Sequence, residues 1–282
     1  MHVNWPRVTD VKPELIAALT RAGLDQREAR WLVDEFVVGG DPDSIPSLQM
    51  AVERRLQGEP LQYIIGHWPF RFLDLDIDSR VLIPRPETEE LVGVALRELA
   101  LRQVAAPRIL DLGCGSGAIG LALLFELRQR GIAATLVAVD ESTDALAVAR
   151  SNALKHSLHA VSFVHSSWFD ALDASLRGHF DLIVSNPPYV AASEMPALDP
   201  VLDHEPLGAL VAEDSVVPGF SDLEVIIAGA PAWLTDEGLL VCEHGYQQRD
   251  AVLNAARSAG FASFEDVDDM AGHPRVLIAR MS

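Results

Sequence analysis

The tetrapeptide Asn186-Pro187-Pro188-Tyr189 contains residue types that could bind a planar amino group. The two prolines fix two φ angles and remove two N–H donors, so Pro187 offers only its carbonyl oxygen. Asn186 adds a side-chain carbonyl on the same short turn, and Tyr189 supplies an aromatic ring. Two converging acceptors would bind both hydrogens of an –NH₂ group and leave its nitrogen open to attack an electrophile. We therefore assign catalysis to Asn186, Pro187 and Tyr189, with the amino group bound by the oxygens of Asn186 and Pro187.

A glycine-rich run from Asp111 to Gly120 is the second motif that could bind a ligand. Glycines allow a tight turn and a close approach to a ligand, and the helix N-terminus behind them offers free N–H groups. Gly115, Gly117 and Gly120 match the G-x-G-x-x-G pattern of dinucleotide-binding loops. Asp140 lies 23 residues after Gly117, about where a carboxylate accepts hydrogen bonds from ribose hydroxyls. NAD and S-adenosylmethionine are both compatible with these features.

The Asn-Pro-Pro-Tyr turn distinguishes between NAD and S-adenosylmethionine as the candidate cofactor. An amide nitrogen is a poor nucleophile, whereas the methyl group of a sulfonium is a strong electrophile, so in-line positioning can carry much of the barrier. Carbonyl oxygens on the turn can also stabilise the positive charge that develops on the nitrogen. Asn-Pro and Pro-Pro also mark ordinary turns, but the dinucleotide interpretation gives this turn no role at all. The two motifs together favour S-adenosylmethionine as the cofactor.

Strands and helices alternate after residue 75, which indicates an α/β fold. The predicted strands are Arg108–Leu112, Thr135–Val139, Val161–His165, Asp181–Ser185 and Leu239–Cys242, with a closing pair at Phe264–Val267 and Arg275–Ala279. The predicted helices are Ala118–Arg130, Asp144–His156, Leu223–Ala230 and Asp250–Ala259. This alternation predicts a doubly wound, mostly parallel sheet with helices on both faces. Both motifs follow predicted strands, at the carboxyl ends where such sheets bind ligands.

Residues 1–75 have a different sequence pattern, without alternating strands and helices. This pattern predicts a small helical domain with a linker, followed by a larger domain over residues 76–282. Asp25 and Glu28 form a capping-box pattern for a helix that should stop at Gly39-Gly40. A second helix should begin at Ser44 or Ser47 and run to Gln57. The run Trp68–Ile77 predicts a connecting β-hairpin.

The composition is that of a globular protein, with 49% hydrophobic and 22% charged residues. The net charge is −19, and between Arg177 and Arg249 there are 12 acidic residues and no lysine or arginine. Phosphate backbones bind through lysine and arginine, so the charge argues against direct nucleic-acid binding. It equally fits general solubility or an acidic face that steers a basic partner.

Other sequence features narrow the class of protein further. No apolar stretch has the ~18 residues of a membrane span, and there is no secretory signal, so we expect a cytoplasmic protein without a membrane partner. The nine histidines show no ligand spacing, so we predict no metal site. No coiled-coil pattern is present, and we expect a monomer.

Six segments, in order, make the chain similar to the bacterial release-factor glutamine methyltransferase family, a group of class I S-adenosylmethionine enzymes. The resemblance extends from about Gly58 to Arg280. The segments are Gly58–Gly66, Leu82–Glu89, the glycine loop, the Asn-Pro-Pro-Tyr turn, Glu205–Leu210 and Glu243–Gln248. The Leu82–Glu89 segment, Leu-Ile-Pro-Arg-Pro-Glu-Thr-Glu, is highly specific to the family.

The resemblance implies a Rossmann-like fold and methylation of the side-chain amide of a glutamine in the Gly-Gly-Gln motif of peptide-chain release factors. It also implies that residues 1–75 help to dock the release factor, and that Trp168 lies beside the adenine and Asp140 binds the ribose. Asn186, Pro187, Pro188 and Tyr189 would bind the substrate glutamine, and Asn186 would also contact the cofactor. The methionine part of the cofactor would be held by Gly113, Cys114, Gly115, Ser116 and Gly117.

Some positions depart from the family pattern or carry no assigned chemistry. Cys114 stands where threonine is common, and Ser167 stands on the adenine side where aspartate is frequent. We interpret Arg85 and Glu87 as structural residues at a helix start.

Glu243 and His244, at a predicted strand end, resemble an acid–base pair but have no partner visible in the sequence. We interpret them as packing or loop support.

Three other functions remain compatible with the motifs. Two are enzymatic, methylation of a ribosomal-protein glutamine and methylation of an adenine amino group in nucleic acid. The third is a non-catalytic module that binds the cofactor and docks a translation factor.

Overall fold

The computed structural model describes residues 12–37 and 44–282. The chain divides into two compact units. The first comprises the described residues up to His67 together with Asp199–His204, and the second comprises Trp68–Leu198 and Glu205–Ser282. The domain boundary predicted after residue 75 stays a prediction. No helix within the described ranges is long and apolar enough to cross a membrane.

The first unit is helical. Its helices are α1 (Lys12–Arg21), α2 (Gln26–Phe36), α3 (Ser44–Leu56) and α4 (Leu61–Ile65). Asp25 caps α2 as predicted, because its carboxylate accepts a hydrogen bond from the Arg27 N–H at 2.8 Å. The predicted end of this helix is wrong, since α2 stops at Phe36, and Gly39-Gly40 lie outside the described residues.

The described part of α3 begins at Ser44, so Ser47 lies inside the helix and does not begin it. Glu28 pairs with Arg55 of α3 at 2.9 Å. Apolar side chains from three helices, among them Leu19, Leu32 and Leu48, are fully buried and form the core of this unit.

A hairpin and a seven-stranded sheet follow. The hairpin strands are β1 (His67–Phe70) and β2 (Leu73–Asp76), which confirms the predicted hairpin. The sheet strands are β3 (Arg108–Leu112), β4 (Thr135–Asp140), β5 (Val161–His165), β6 (Phe180–Ser185), β9 (Leu234–Glu243), β10 (Ser263–Asp268) and β11 (Pro274–Arg280). Their order is β10-β11-β9-β6-β3-β4-β5. β11 is antiparallel to both neighbours, and the other pairs are parallel.

Helices cover the sheet as predicted, and a further helix extends from the helix start predicted at Arg85 and Glu87, although its length was not predicted. The predicted ones are α6 (Ala118–Gln129), α7 (Thr143–Lys155), α8 (Ser221–Gly229) and α9 (Arg249–Ala259), and the additional one is α5 (Pro86–Leu101). Pro86 begins α5, where its missing N–H is not needed for the helix.

Strand β9 begins five residues earlier than predicted, at Leu234. Its polar first half resembles a turn in the sequence, but Gly238 lets it approach β6 closely. A Cβ atom at Gly238 would lie 2.9 Å from the Phe180 carbonyl oxygen.

Because β3, β4, β6 and β9 are parallel, their carboxyl ends meet at one edge of the sheet. The chain emerges there at the glycine loop, at Asp140, at Asn186 and at Glu243. Beneath this edge, the sheet interior holds fully buried Leu110 and Ile183. A short parallel pair that was not predicted, β7 (Val190–Ala191) with β8 (Val211–Ala212), follows the Asn-Pro-Pro-Tyr turn.

Candidate active site

A cleft of about 320 Å³ lies at the carboxyl edge of the sheet, within the size range of ligand sites. Its walls bring together residues from the glycine loop and the Asn-Pro-Pro-Tyr turn with the predicted cofactor residues Asp140 and Trp168. These are Gly113, Gly115, Asp140, Trp168, Asn186 and Pro188. Cys114 and Ser116 are buried rather than among the lining residues, and Gly117, Pro187 and Tyr189 also lie outside the lining.

The glycine loop turns tightly beneath Trp168. Gly113 has a φ of +69°, and a Cβ atom there would lie 3.3 Å from Cζ3 of the Trp168 ring. Asn152 of α7 supports the loop from the other side, because its Nδ2 donates to the Ser116 carbonyl at 3.0 Å. Both glycine conformation and a buried amide therefore shape this wall.

Asp140 holds the loop through its two carboxylate oxygens. Oδ2 accepts a hydrogen bond from the Gly115 N–H at 2.8 Å, and Oδ1 accepts one from the Ser142 N–H at 2.9 Å. Burial raises the pKa of this carboxyl, while the two N–H donors lower it. Each carboxylate oxygen keeps a further acceptor position, so the group can also bind a hydroxyl.

Gly120, the last glycine of the dinucleotide pattern, contributes to packing rather than to the cleft wall. Its N–H donates to Asp111 Oδ2 at 2.9 Å, and a Cβ atom there would lie 2.8 Å from the same oxygen. Asp111 is fully buried, and burial raises its pKa to about 7.

Two buried polar atoms beside the loop have no hydrogen-bond partner among the described residues, Asp111 Oδ1 and Ser116 Oγ. Asp140, Glu141 and Asp222 line the cleft together with one arginine, Arg80, which pairs with Asp78 at 2.6 Å. The charge of this lining suits a sulfonium and an ammonium better than a pyrophosphate. These features fit S-adenosylmethionine.

Trp168 and Asp222 line the cleft beside the glycine loop. Trp168 has a φ of +42°, which is rare for a large side chain, and its Nε1 donates to Asp222 Oδ1 at 3.2 Å. Burial raises the pKa of Asp222. The sequence interpretation missed Asp222, which supplies a carboxylate at the end of the cleft where Ser167 lacks one.

The Asn-Pro-Pro-Tyr turn is joined to a buried carboxylate by side-chain hydrogen bonds. Asn186 Nδ2 donates to Thr88 Oγ1 at 3.1 Å, and Thr88 in turn donates to Glu243 at 2.8 Å. The Tyr189 hydroxyl donates to the other oxygen of Glu243 at 3.3 Å. Burial raises the pKa of Tyr189. Gln248 supports the turn, because its Nε2 donates to the Tyr189 carbonyl at 3.2 Å.

The fold supplies the partners of Glu243 that were not visible in the sequence. Its partners Thr88 and Tyr189 lie 155 and 54 residues away in sequence, so no local pattern could reveal them. Thr88 belongs to the Leu82–Glu89 segment, which resembles the family. This was the feature of the sequence that could have indicated a role for Thr88 at the site. His244 lies 3.1 Å from the buried Asp266, away from the lining of the cleft.

Arg85 and Glu205 connect two segments that line the cleft. The buried Glu205 carboxylate pairs with Arg85 and accepts a hydrogen bond from the Ile83 N–H at 3.0 Å. Leu82 precedes this contact on one side and Pro206 follows it on the other, and both line the cleft. The ion pair supports the structural role predicted for Arg85.

Comparison with known proteins identifies the chemistry. A family model described as the methyltransferase small domain matches residues 93–199. The structure is similar to that of the T. thermophilus 16S rRNA methyltransferase in complex with AdoMet and guanosine, with a TM-score of 0.52 and 18% identity over 77% of this chain and 50% of that one. This likeness shows the fold.

Two relatives are similar over most of their length. The release factor glutamine methyltransferase of Haemophilus influenzae is 41% identical over 239 residues, which cover 82% of this chain and 79% of that protein. The one from Pasteurella multocida is 38% identical over 279 residues, covering 95% and 91%. The predictions of a methyltransferase and of S-adenosylmethionine as its cofactor are confirmed. At this identity and coverage, the chain belongs to the release factor glutamine methyltransferase family.

Proposed function

We propose that this protein transfers a methyl group from S-adenosylmethionine to the side-chain amide nitrogen of the glutamine in the Gly-Gly-Gln motif of peptide-chain release factors. The observation that carries the proposal is the position of Asn186. Its side chain lies on the wall of the cleft that the glycine loop and Asp140 also line. An amide-binding turn thus meets a cofactor-binding loop in one cavity.

The residues of the cleft divide between cofactor and acceptor. The segment Gly113–Gly117 holds the methionine part of the cofactor, Asp140 binds the ribose and Trp168 lies beside the adenine. The unpartnered Asp111 Oδ1 next to the loop supports this assignment, because a buried carboxylate oxygen favours a nearby cation.

Bound S-adenosylmethionine supplies an electrophilic methyl group on a positively charged sulfur. Asn186 Oδ1 and the Pro187 carbonyl oxygen accept the two hydrogens of the substrate amide and orient its nitrogen. As the N–C bond forms and the C–S bond breaks, these oxygens stabilise the positive charge on nitrogen. The methylated nitrogen then loses one proton to water, so no strong base is needed.

The release factor is recognised outside the cleft as well. In this proposal residues 1–75 dock the factor, and the acidic stretch between Arg177 and Arg249 attracts its basic surface. The protein acts as a cytoplasmic monomer and binds no nucleic acid directly.

The test is an incubation with S-adenosylmethionine and a purified release factor, followed by peptide mass spectrometry. One added methyl group on the Gly-Gly-Gln glutamine is expected, and none with Asn186→Ala, whose cofactor affinity should stay near that of the wild type. A ribosomal protein and adenine-containing DNA serve as alternative acceptors. Methylation of either one in place of the release factor, or full activity of Asn186→Ala, would contradict the proposal.

A further inference from the structure

Glu243 is a buried carboxylate that the mechanism has not used. It lies at the end of β9 with 1% of its surface exposed, and it accepts hydrogen bonds from both sides. Thr88 in the first turn of α5 donates at 2.8 Å, and the Tyr189 hydroxyl donates at 3.3 Å. A buried carboxylate with two donors is a fixed acceptor at the centre of this group.

The direction of these hydrogen bonds follows from counting protons. The Thr88 hydroxyl carries one proton, which it donates to Glu243. Thr88 Oγ1 is then left as an acceptor, and Asn186 Nδ2 occupies it at 3.1 Å. The amide group of Asn186 therefore presents its nitrogen to Thr88 and keeps Oδ1 for a ligand.

Without this constraint the side-chain amide of Asn186 could flip by 180°, since its oxygen and its –NH₂ group have nearly the same shape. A Thr88 hydroxyl released from Glu243 could donate to Asn186 Oδ1 instead. The Nδ2 group would then meet the –NH₂ group of the acceptor, and two donors would face each other.

We propose that Thr88 and Glu243 are positioning residues that hold Asn186 in the amide orientation that accepts a hydrogen bond from the substrate nitrogen. This inference rests on the proposed methylation of a glutamine amide. Neither residue needs to touch the substrate, because Glu243 acts through Thr88 and Thr88 acts through Asn186.

The charge of Glu243 supports the same direction for the hydrogen bond, from the Thr88 hydroxyl to the Glu243 carboxylate. An ionised carboxylate only accepts hydrogen bonds, whereas a protonated one can also donate. The pKa of Glu243 is raised above its usual value by burial and by the charge of Glu87. The hydrogen bonds from Thr88 and Tyr189 and the charge of Arg275 act in the opposite sense and lower the pKa. As the pH falls through this pKa, the constraint on Thr88 is lost and kcat should fall.

The test compares Thr88→Val with Thr88→Ser, because valine keeps the shape and serine keeps the hydroxyl. Thr88→Val should lower kcat by about 10²-fold, the usual effect of a misplaced catalytic group. The KM for the release factor and the calorimetric Kd for S-adenosylmethionine should change less than about threefold, since the orientation acts in the transition state. Thr88→Ser should keep most of the activity.

Two further measurements separate orientation from simple packing. Glu243→Gln cannot ionise, so its kcat should be low and should lack the fall at acid pH. In NMR spectra, the side-chain Nδ2 resonances of Asn186, identified by their loss in Asn186→Asp, should shift in Thr88→Val and stay in place in Thr88→Ser.

Three results would overturn the inference: wild-type kcat in Thr88→Val, equal damage by serine and valine, or a parallel loss of cofactor binding. Failure of the proposed function looks different. In that case the wild-type enzyme leaves the release factor unmethylated while the Asn186 resonances still respond to Thr88→Val.

Discussion

The two ends of the cleft are held together in different ways. At the cofactor end, side-chain carboxylates bind backbone N–H groups that are near in sequence, such as Asp111 with Gly120 and Asp140 with Gly115, nine and 25 residues apart. At the acceptor end, side chains bind side chains across 98 and 155 residues, from Asn186 through Thr88 to Glu243. The cofactor end thus depends on backbone shape, and the acceptor end depends on distant side-chain chemistry.

The sharpest way to break the cofactor end is to add one methyl group. In Gly120→Ala the new Cβ atom would lie 2.7 Å from Leu136 Cδ2 and 2.8 Å from Asp111 Oδ2, so these buried side chains or the start of α6 must shift. We expect S-adenosylmethionine to bind more weakly by calorimetry, because the hydrogen bond from the Gly120 N–H to Asp111 supports the glycine loop. Stability should fall by about 1–3 kcal/mol.

Gly93→Ala is the matched control, because Gly93 also lies in a helix, α5. The nearest atom to a Cβ there would be Arg71 Nη1 at 3.7 Å, which is an ordinary contact distance. It should leave cofactor binding unchanged. Equal cofactor affinity in both variants would mean that the backbone does not determine this end.

Arg85→Met tests the ion pair between Arg85 and Glu205, which connects two segments that line the cleft. The substitution leaves the carboxylate of Glu205, whose side chain is 1% exposed, without its cation. We expect the free energy of unfolding to fall by about 2 kcal/mol in urea titrations, because an unpaired buried charge is costly.

The exposed pair Lys12–Asp34, with 44% and 55% of the side chains accessible, gives the comparison. Lys12→Met should cost less than about 1 kcal/mol. If the two variants lose the same stability, burial of Glu205 has no special effect.

Asp111→Asn has an effect on stability that depends on pH. Burial raises the pKa of Asp111 from 3.8 to about 7, so the folded state favours the protonated form. The resulting stabilisation of the ligand-free protein is complete below the unfolded pKa and is lost as the pH rises to about 7. Asp111→Asn should lack this loss, by a few kcal/mol at most.

Thermal unfolding of both proteins between pH 4 and pH 8, without cofactor, measures this difference. A constant offset between wild type and variant over that range would contradict the assigned pKa. The variant should also bind S-adenosylmethionine more weakly, which would separate stability from function at this end.

The same contrast explains what could be predicted from sequence. The glycine loop, Asp140 and most strands of the sheet follow from local patterns, because glycine spacing and apolar runs reflect short-range requirements. Thr88, Glu205 and Asp222 depend on partners that only the tertiary fold brings near. Their importance was visible at most as membership of a segment that resembles a family.

The position of β11 has a consequence for synthesis of the chain. This strand, Pro274–Arg280, lies between β9 and β10, and its Val276 is the partner of Glu243. A nascent chain that has emerged only as far as residue 273 already contains the whole glycine loop and the Asn-Pro-Pro-Tyr turn. However, the β9 edge that carries Glu243 is still unpaired, and such edges invite wrong pairing. Because β11 arrives after both of its neighbours, the acceptor end matures later than the cofactor end.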